Sequence, residues 1–502
     1  AVDITRLTCI LTLKPATAVS PRCLEDTNTF LLDMNQHAPK EYAVRSDVRC
    51  FWKMGSNVEG GNANRPGLLL QCRSARAPTF SGRYCQVETL QYFVGICVPD
   101  SCGEEDVQLG QTSLIPPLPS ILINQSTQEM IMTHCLSNTI TPDASDVTLI
   151  FIVLLIVSSV DRTSHTVQCV PQSCLQSCLQ AFSLQTTTPG VLSITSSIRE
   201  GRYSSLNGIR VLSLLWIICG HSAQFPVIST LDNYKNWKKA VESSPLYVFT
   251  ISGPVFLAVD TFLGLLSARS LLGSIHTADD KLNELSFPAL RSRIQPLHIF
   301  IMCLTISLIS VVQWGPYWFP FIDTMMDCKS YWWANCVPWT WYLSLDFQCY
   351  ATTPLLWQAL LGWFCCLWVL ALLVGLAYIL KETPAFPSVP HALYQGLHRP
   401  LWALAIAWII LACEEGYGGF IQSLLSLRFW IPLSNISFAC YLTHPVFIII
   451  YIGLQETPIH YTNINFMYMF FGHLMLTLVL SYAFTVLVEK PYLLLKLNMT
   501  KR

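Results

Sequence analysis

From Leu206 onward the chain is mostly apolar, broken by short polar joints, and several runs reach membrane length with few or no charges. About twenty such residues, wound as a helix, match the hydrocarbon thickness of a bilayer, where a backbone has to satisfy its own hydrogen bonds. The strongest runs are 208–228, 246–272, 295–313, 359–380, 435–454 and 464–487. Weaker ones at 147–160, 341–356 and 401–413 bring the predicted count to nine crossings, and Phe420 to Leu433 is ambiguous, with a re-entrant segment as one reading. Charged residues make up only 12% of the chain, about half the usual share. A net charge of −1 points away from nucleic acid as a partner.

Residues 1–146 differ in character, with loops rich in Gly, Asn, Pro and Ser. They hold eight cysteines: Cys9, Cys23, Cys50, Cys72, Cys85, Cys97, Cys102 and Cys135. An even number in a small loop-rich domain reads as a disulfide framework in an oxidising compartment, although eight cysteines allow 105 pairings. Free buried thiols are the alternative; a zinc site fits less well, because no second pair matches the Cys97 to Cys102 spacing. Asn124-Gln125-Ser126 is a candidate glycosylation acceptor, which would make the chain a glycoprotein. Leu7 to Leu13 is a short apolar stretch near the start, the remnant of a signal peptide at most.

The fold class that follows is mainly α, a multi-pass transmembrane helix bundle preceded by a cysteine-rich extracytoplasmic domain. Its predicted parts are that domain over 1–146, a first span and cytosolic linker over 147–206, a transmembrane domain over 207–495 and a cytosolic tail over 496–502. With the cysteines outside the cytosol, an odd number of crossings puts Lys496, Lys501 and Arg502 inside. Arg162, Arg199, Arg202, Lys281, Arg291 and Arg293 fall on the same side, as the positive-inside tendency predicts, whereas Lys235, Lys238 and Lys239 oppose it. Cys328 and Cys336, flanking Trp332 and Trp333, read as a second disulfide loop on the outer side. Endoplasmic reticulum and plasma membrane both fit.

The first strong span carries Arg210 and, eleven residues on, His221. Eleven helical steps of about 100° return the two side chains to within about 20° of each other, about 16 Å apart along the axis. Ionisable groups at membrane depth are costly and usually face a polar cavity, so the pair is a candidate site. An imidazole can take a proton from a hydroxyl, and a guanidinium pairs well with phosphates. The plainer alternative is a snorkelling arginine and a histidine hydrogen-bonded inside the bundle. Asp260 lies mid-span and needs a partner, with His221 or Arg210 as candidates by type, and a structural ion pair is the alternative to a catalytic role. Arg291 and Arg293 are placed to hold donor phosphates, though basic residues at a cytosolic helix end are ordinary. Asp346, Gln348 and His444 are further polar residues in apolar runs, His444 read as lying early in its span beside the helix-breaking Pro445. The membrane part shows no Ser-His-Asp ordering, phosphate-binding glycine loop or His-x-x-x-His pair.

Asn207-Gly208-Ile209-Arg210 through His221 resembles the signature helix of the acyltransferase 3 family of membrane acyltransferases. Ala258 to Phe262, Trp341 to Gln348, Arg399 to Ala405, Cys413 to Gly419, Ser437 to Pro445 and Glu489-Lys490-Pro491 are similar to later family motifs in the same order. Phe80 to Cys85 and Gly95 to Cys102 look like the cysteine-rich domain of the animal branch named for nose-resistant-to-fluoxetine proteins, which includes the O-acyltransferase-like members. The resemblance implies transfer of an acyl group, other than amino-acyl, from an acyl-CoA-type donor to a hydroxyl of a lipid, sugar or protein. It implies His221 as catalytic base and Arg210 at the donor; on the enzyme reading, Asp260 is a candidate for orienting the histidine. Acyl-CoA is then a co-substrate and no bound cofactor or metal is expected; membrane lipid surrounds the bundle. The sequence departs from the family at Leu263-Gly264-Leu265-Leu266-Ser267 and around Arg291 to Pro296, and looks short between Tyr378 and Arg399. Two other readings therefore stand beside the enzyme: a lipid or drug transporter or binding protein without chemistry, and an inactive relative.

Overall fold

The computed structural model describes residues 19–34, 62, 64, 66–88, 93–110, 132–136, 184–192, 204–244, 257–261, 297–305, 307–308, 315–318, 359–380 and 389–500. The cysteine-rich domain contains helices α1 (Pro21–Met34), α2 (Leu69–Ser74) and α3 (Glu104–Gly110) and strands β1 (Gly82–Glu88), β2 (Phe93–Pro99) and β3 (Met132–Cys135). The strands form one antiparallel sheet in the order β2-β1-β3. Successive strand residues point to opposite faces. Tyr84 and Cys97 accordingly pack with Leu69 and Cys72 of α2, while Cys85, Ile96 and Val98 pack with Cys23, Cys102 and Val107 on the other side.

Three disulfides close this small core: Cys23–Cys102, Cys72–Cys97 and Cys85–Cys135. The third joins directly opposed residues of β1 and β3. Cys9, Cys50, Asn124 and the Cys328 to Cys336 loop lie outside the described residues.

Among the described residues the further helices with defined ends are α4 (Leu184–Leu192), α5 (Ser205–Ser229), α6 (Tyr234–Ser243), α7 (Ala359–Leu380), α8 (Val389–Glu414), α9 (Gly419–Leu425), α10 (Trp430–Gly453), α11 (Asn463–Phe484) and α12 (Lys490–Thr500), with a π-helical turn over Thr485–Glu489. Among the described residues five helices are long and apolar enough to cross a membrane: Ser205–Val227, Gly362–Leu380, Val389–Glu414, Trp430–Gly453 and Asn463–Leu495. The predicted spans at 147–160 and 341–356 lie outside the described residues, and those at 246–272 and 295–313 are described only as helix over 257–261, 297–305 and 307–308.

The weak span at 401–413 is part of a 26-residue helix, α8. Hydropathy shortens it because His398, Arg399 and Pro400 interrupt the apolar run. In the fold His398 Nδ1 donates to the Tyr394 carbonyl at 2.9 Å, and neighbouring helices tolerate the proline. The ambiguous stretch 420–433 is the short helix α9 followed by the start of α10. The predicted linker contributes α4, whose Val191 carbonyl accepts from Asn435 Nδ2 at 2.9 Å and whose side chain joins the main core.

The bundle core joins α5, α10 and the 257–261 and 297–305 segments through Leu214, Ile217, Ile218, Ala258, Leu297, Ala439 and Leu442. The cysteine-rich domain meets one end of this bundle, where Phe93 of β2 packs with Tyr317, Phe225, Ile448 and Ile452. That end holds the C-termini of α5 and α10. Gly315 permits it: its N–H donates to the Gly453 carbonyl at 2.6 Å, and a Cβ would strike the carbonyls of Gly453 and Gln455.

Candidate active site

Helix α5 carries both residues singled out from the sequence, and its N-terminus is pinned at the end of the bundle away from the cysteine-rich domain. Ser205 Oγ donates to Glu414 Oε1 of α8 at 3.0 Å, and Ser204 bonds Ser426 at 2.9 Å. Gly208 lets α9 press onto the helix, because a Cβ there would meet the Leu425 backbone. Leu206 and Ile209 fill the contact with Ile410, Cys413 and Leu425. Arg210 is half-buried five residues into α5, about 8 Å from that far end.

His221 lies eight residues before Ser229, about 12 Å below the end where the cysteine-rich domain sits. His444 of α10 is nine residues before Gly453, about 14 Å below the same end. It lies deep in its helix, not early as the sequence reading placed it, because α10 starts at Trp430. The two imidazoles meet at this shared depth, with His221 Nδ1 2.9 Å from His444 Nε2. Their planes differ by 9°, which sets an N–H on one ring along the in-plane lone pair of the other.

Backbone partners fix the tautomers. His444 Nδ1 lies 3.0 Å from the Cys440 carbonyl and also faces that of Tyr441. Pro445 has no N–H to give the Tyr441 carbonyl, so the imidazole serves a group that the helix leaves open. A carbonyl only accepts, so Nδ1 of His444 carries the proton and its Nε2 is a lone pair. His221 must then donate from Nδ1, which leaves Nε2 of His221 as the basic nitrogen. Phe225, one turn on in α5, lies nearly parallel to the His221 ring at 5.2 Å and 11°. His444 itself is fully buried, and Tyr441 meets it edge-on at 5.7 Å.

A polar seam surrounds the pair. Ser222 Oγ and His473 Nδ1 of α11 are 3.1 Å apart, and the hydroxyls of Thr443 and Ser481 are 2.7 Å apart. His473, Thr477, Ser481, Thr485 and Glu489 recur every four residues and are all buried. Four residues overshoot an α-turn and fall short of a π-turn, so the π-helical step over Thr485–Glu489 turns Glu489 back toward this face. The sequence reading passed over His473 and the seam. The four-residue polar period inside an apolar run was the signal for them.

Asp260 has a different partner from those expected. Its Oδ2 lies 3.9 Å from Nε of Arg399, and the neighbouring Thr261 Oγ1 accepts from Trp402 Nε1 at 2.7 Å. Trp402 in turn packs on Trp216. Trp216 and His221 are five residues apart and so point about 140° apart around α5. The structural ion pair, the alternative reading of Asp260, is what the described residues contain, with Arg399 rather than His221 or Arg210 as the cation; it ties the 257–261 segment to α8, and the ring that meets His221 is that of His444. Arg291, Arg293, Asp346 and Gln348 lie outside the described residues.

The described part of the chain is thus a set of membrane-length helices in which a half-buried and a fully buried imidazole meet and α5 also carries an arginine. Residues 203–380 match the family model described as an acyltransferase domain, that of the acyltransferase 3 family. The chain is also similar to nose resistant to fluoxetine protein 6 of Caenorhabditis elegans, with 24% identity over 412 residues. That match covers 56% of this chain and 49% of the relative, so the chain aligns with about half of the relative's length. No solved structure matches. The resemblance read from the motifs thus stands, and the chain is acyltransferase-like with several membrane-type helices.

Proposed function

We propose that this chain is a membrane O-acyltransferase in which His221 is the general base and His444 its positioning partner. The cysteine-rich domain then faces the lumen or the exterior, and Arg210 lies toward the cytosol, where acyl-CoA is found. Arg210 would pair with the anionic carrier, and the acyl thioester would reach up α5 toward His221.

In the reaction, Nε2 of His221 takes the proton of the acceptor hydroxyl as its oxygen attacks the thioester carbonyl. The C–S bond breaks, and the thiolate leaves with the proton returned from His221. His444 Nε2 accepts a hydrogen bond from the His221 Nδ1–H throughout, which holds the ring in the useful tautomer and stabilises the imidazolium as it forms. A neutral imidazole does this less strongly than a carboxylate, and it avoids burying an anion in the bundle.

The observation that carries this reading is the 2.9 Å His221–His444 contact, with His444 tied to its own backbone. Purified protein given labelled acyl-CoA and hydroxyl acceptors tests it. Transfer is expected from wild type and not from His221→Ala; full-rate transfer by that variant would remove the assignment. Crosslinking of a photoreactive acyl-CoA should weaken in Arg210→Ala.

A further inference from the structure

The end of the bundle nearest the imidazoles is where the cysteine-rich domain docks, and the contact does not stop at the surface. Phe93, the first residue of β2, is 4% exposed and meets the fully buried Tyr317 edge-on at 5.7 Å. Ile448 and Ile452 of α10, both fully buried, complete the cluster, and Phe225 of α5 packs against it. Phe225 is the residue whose ring lies on His221. A continuous apolar path therefore runs from a residue of the cysteine-rich domain to the imidazole.

Phe93 is also held in place. Its N–H donates to Asn64 Oδ1 at 3.1 Å, β2 is bonded to β1 along its length, and Cys97 four residues on is joined to Cys72. We propose that Phe93 is a plug: docked, the cysteine-rich domain closes the approach to His221 from its own side, and a hydroxyl acceptor on that side reaches the base only when the domain lifts. This rests on the reading of His221 as the base, and goes beyond it by giving the domain a gating role at that site. The contact that opens is apolar, so docking is favoured by burial of the Phe93 ring and lifting the domain exposes it. Phe225 is then a positioning residue, covering one face of His221 and passing on whether Phe93 is seated.

The test is the reactivity of His221 in the full-length protein in lipid nanodiscs, using diethyl pyrocarbonate and peptide mass spectrometry. His460, whose side chain is 59% exposed, is the internal standard. In wild type His221 should label far more slowly than His460. Phe93→Ala should raise the His221 rate on the order of tenfold, as for a closed region made locally open, and leave His460 unchanged. Phe93→Leu, which keeps apolar bulk, should give a smaller rise. Should Phe93→Ala fail to fold, Asn64→Ala loosens the start of β2 without touching the cluster and is expected to raise the rate too. An unchanged His221 rate in a folded variant with intact disulfides overturns the plug. Labelling needs no turnover, so that failure is separate from failure of the base assignment, which the His221→Ala transfer measurement decides.

Discussion

The cysteine-rich domain and the helix bundle use the same residue type in opposite ways. In the domain the six described cysteines are all paired, whereas Cys219, Cys303, Cys365, Cys366, Cys413 and Cys440 of the bundle are all free. A three-stranded sheet with short helices buries little apolar area, so closing long loops in the unfolded chain does much of the stabilising. Lipid-facing helices satisfy their backbones internally and are sorted by packing and by a few buried polar contacts. One region is held by covalent bonds, the other by weak contacts that include the imidazole pair. Each half of that contrast can be broken separately.

The largest effect should come from the bundle. His221→Ala is expected to lower acyl transfer by about 10²–10⁴-fold, the usual contribution of a general base. Circular dichroism should still show the helical bundle, with a modest drop in melting temperature because the fully buried His444 Nε2 loses its donor. His444→Ala should also lower transfer, and it should shift the pH–rate profile, because His221 then loses the acceptor that fixes its tautomer.

Next in size is loss of the longest covalent loop. Cys23 and Cys102 are 79 residues apart in sequence, and closing a loop of that length is worth about 4.5 kcal/mol in the chain-entropy model. The double variant Cys23→Ala, Cys102→Ala should make the domain sensitive to protease at lower denaturant concentration while the bundle's helical signal persists. Simultaneous loss of both signals would show that the two regions fold as one unit.

These two effects also mark what the sequence revealed. Arg210 and His221 were legible because eleven residues on a helix return to one face, and the disulfide domain because an even set of cysteines precedes the apolar runs. The partners were not. Cys85 and Cys135 pair because β3 docks on β1 in one register, which no spacing encodes. His444 pairs with His221 across 223 positions, and the cue was local and easily undervalued: a histidine just before a proline, where a carbonyl of the preceding turn lacks its donor. The partner of Asp260 was hidden because charge type alone cannot say which cation faces it, and Arg399 lay in a stretch whose polarity hid a membrane-length helix.

A third, smaller test concerns the hydroxyl pair that joins α10 to α11. Thr443 Oγ1 and Ser481 Oγ are 2.7 Å apart and fully buried. A double-mutant cycle with Thr443→Val and Ser481→Ala should return a coupling of about 0.6 kcal/mol, typical of interhelical hydrogen bonds in membranes. The value matters for the comparison, because a coupling as large as a disulfide's would erase the distinction between the two regions.

The smallest effect returns to the domain and asks whether anything but disulfides holds it. Asp106 joins the start of α3 to the residue before α1: Ser20 N–H donates to Oδ1 at 2.8 Å, and Ser20 Oγ and Gly103 N–H donate to Oδ2 at 3.0 Å each. Partial burial pushes its carboxyl upward, but these three donors outweigh it and hold the group below the ordinary aspartate value of 3.8. A carboxylate held low stabilises the fold in full above its unfolded value. That contribution fades as pH falls from about 3.8 toward the folded value, because the unfolded chain takes up the proton first. Denaturation of the domain with its disulfides intact should therefore become easier as pH falls through that window. In Asp106→Asn this part of the pH dependence should be missing; if the variant retains it in full, Asp106 is not its source, and the covalent bonds leave no room for the contact to matter.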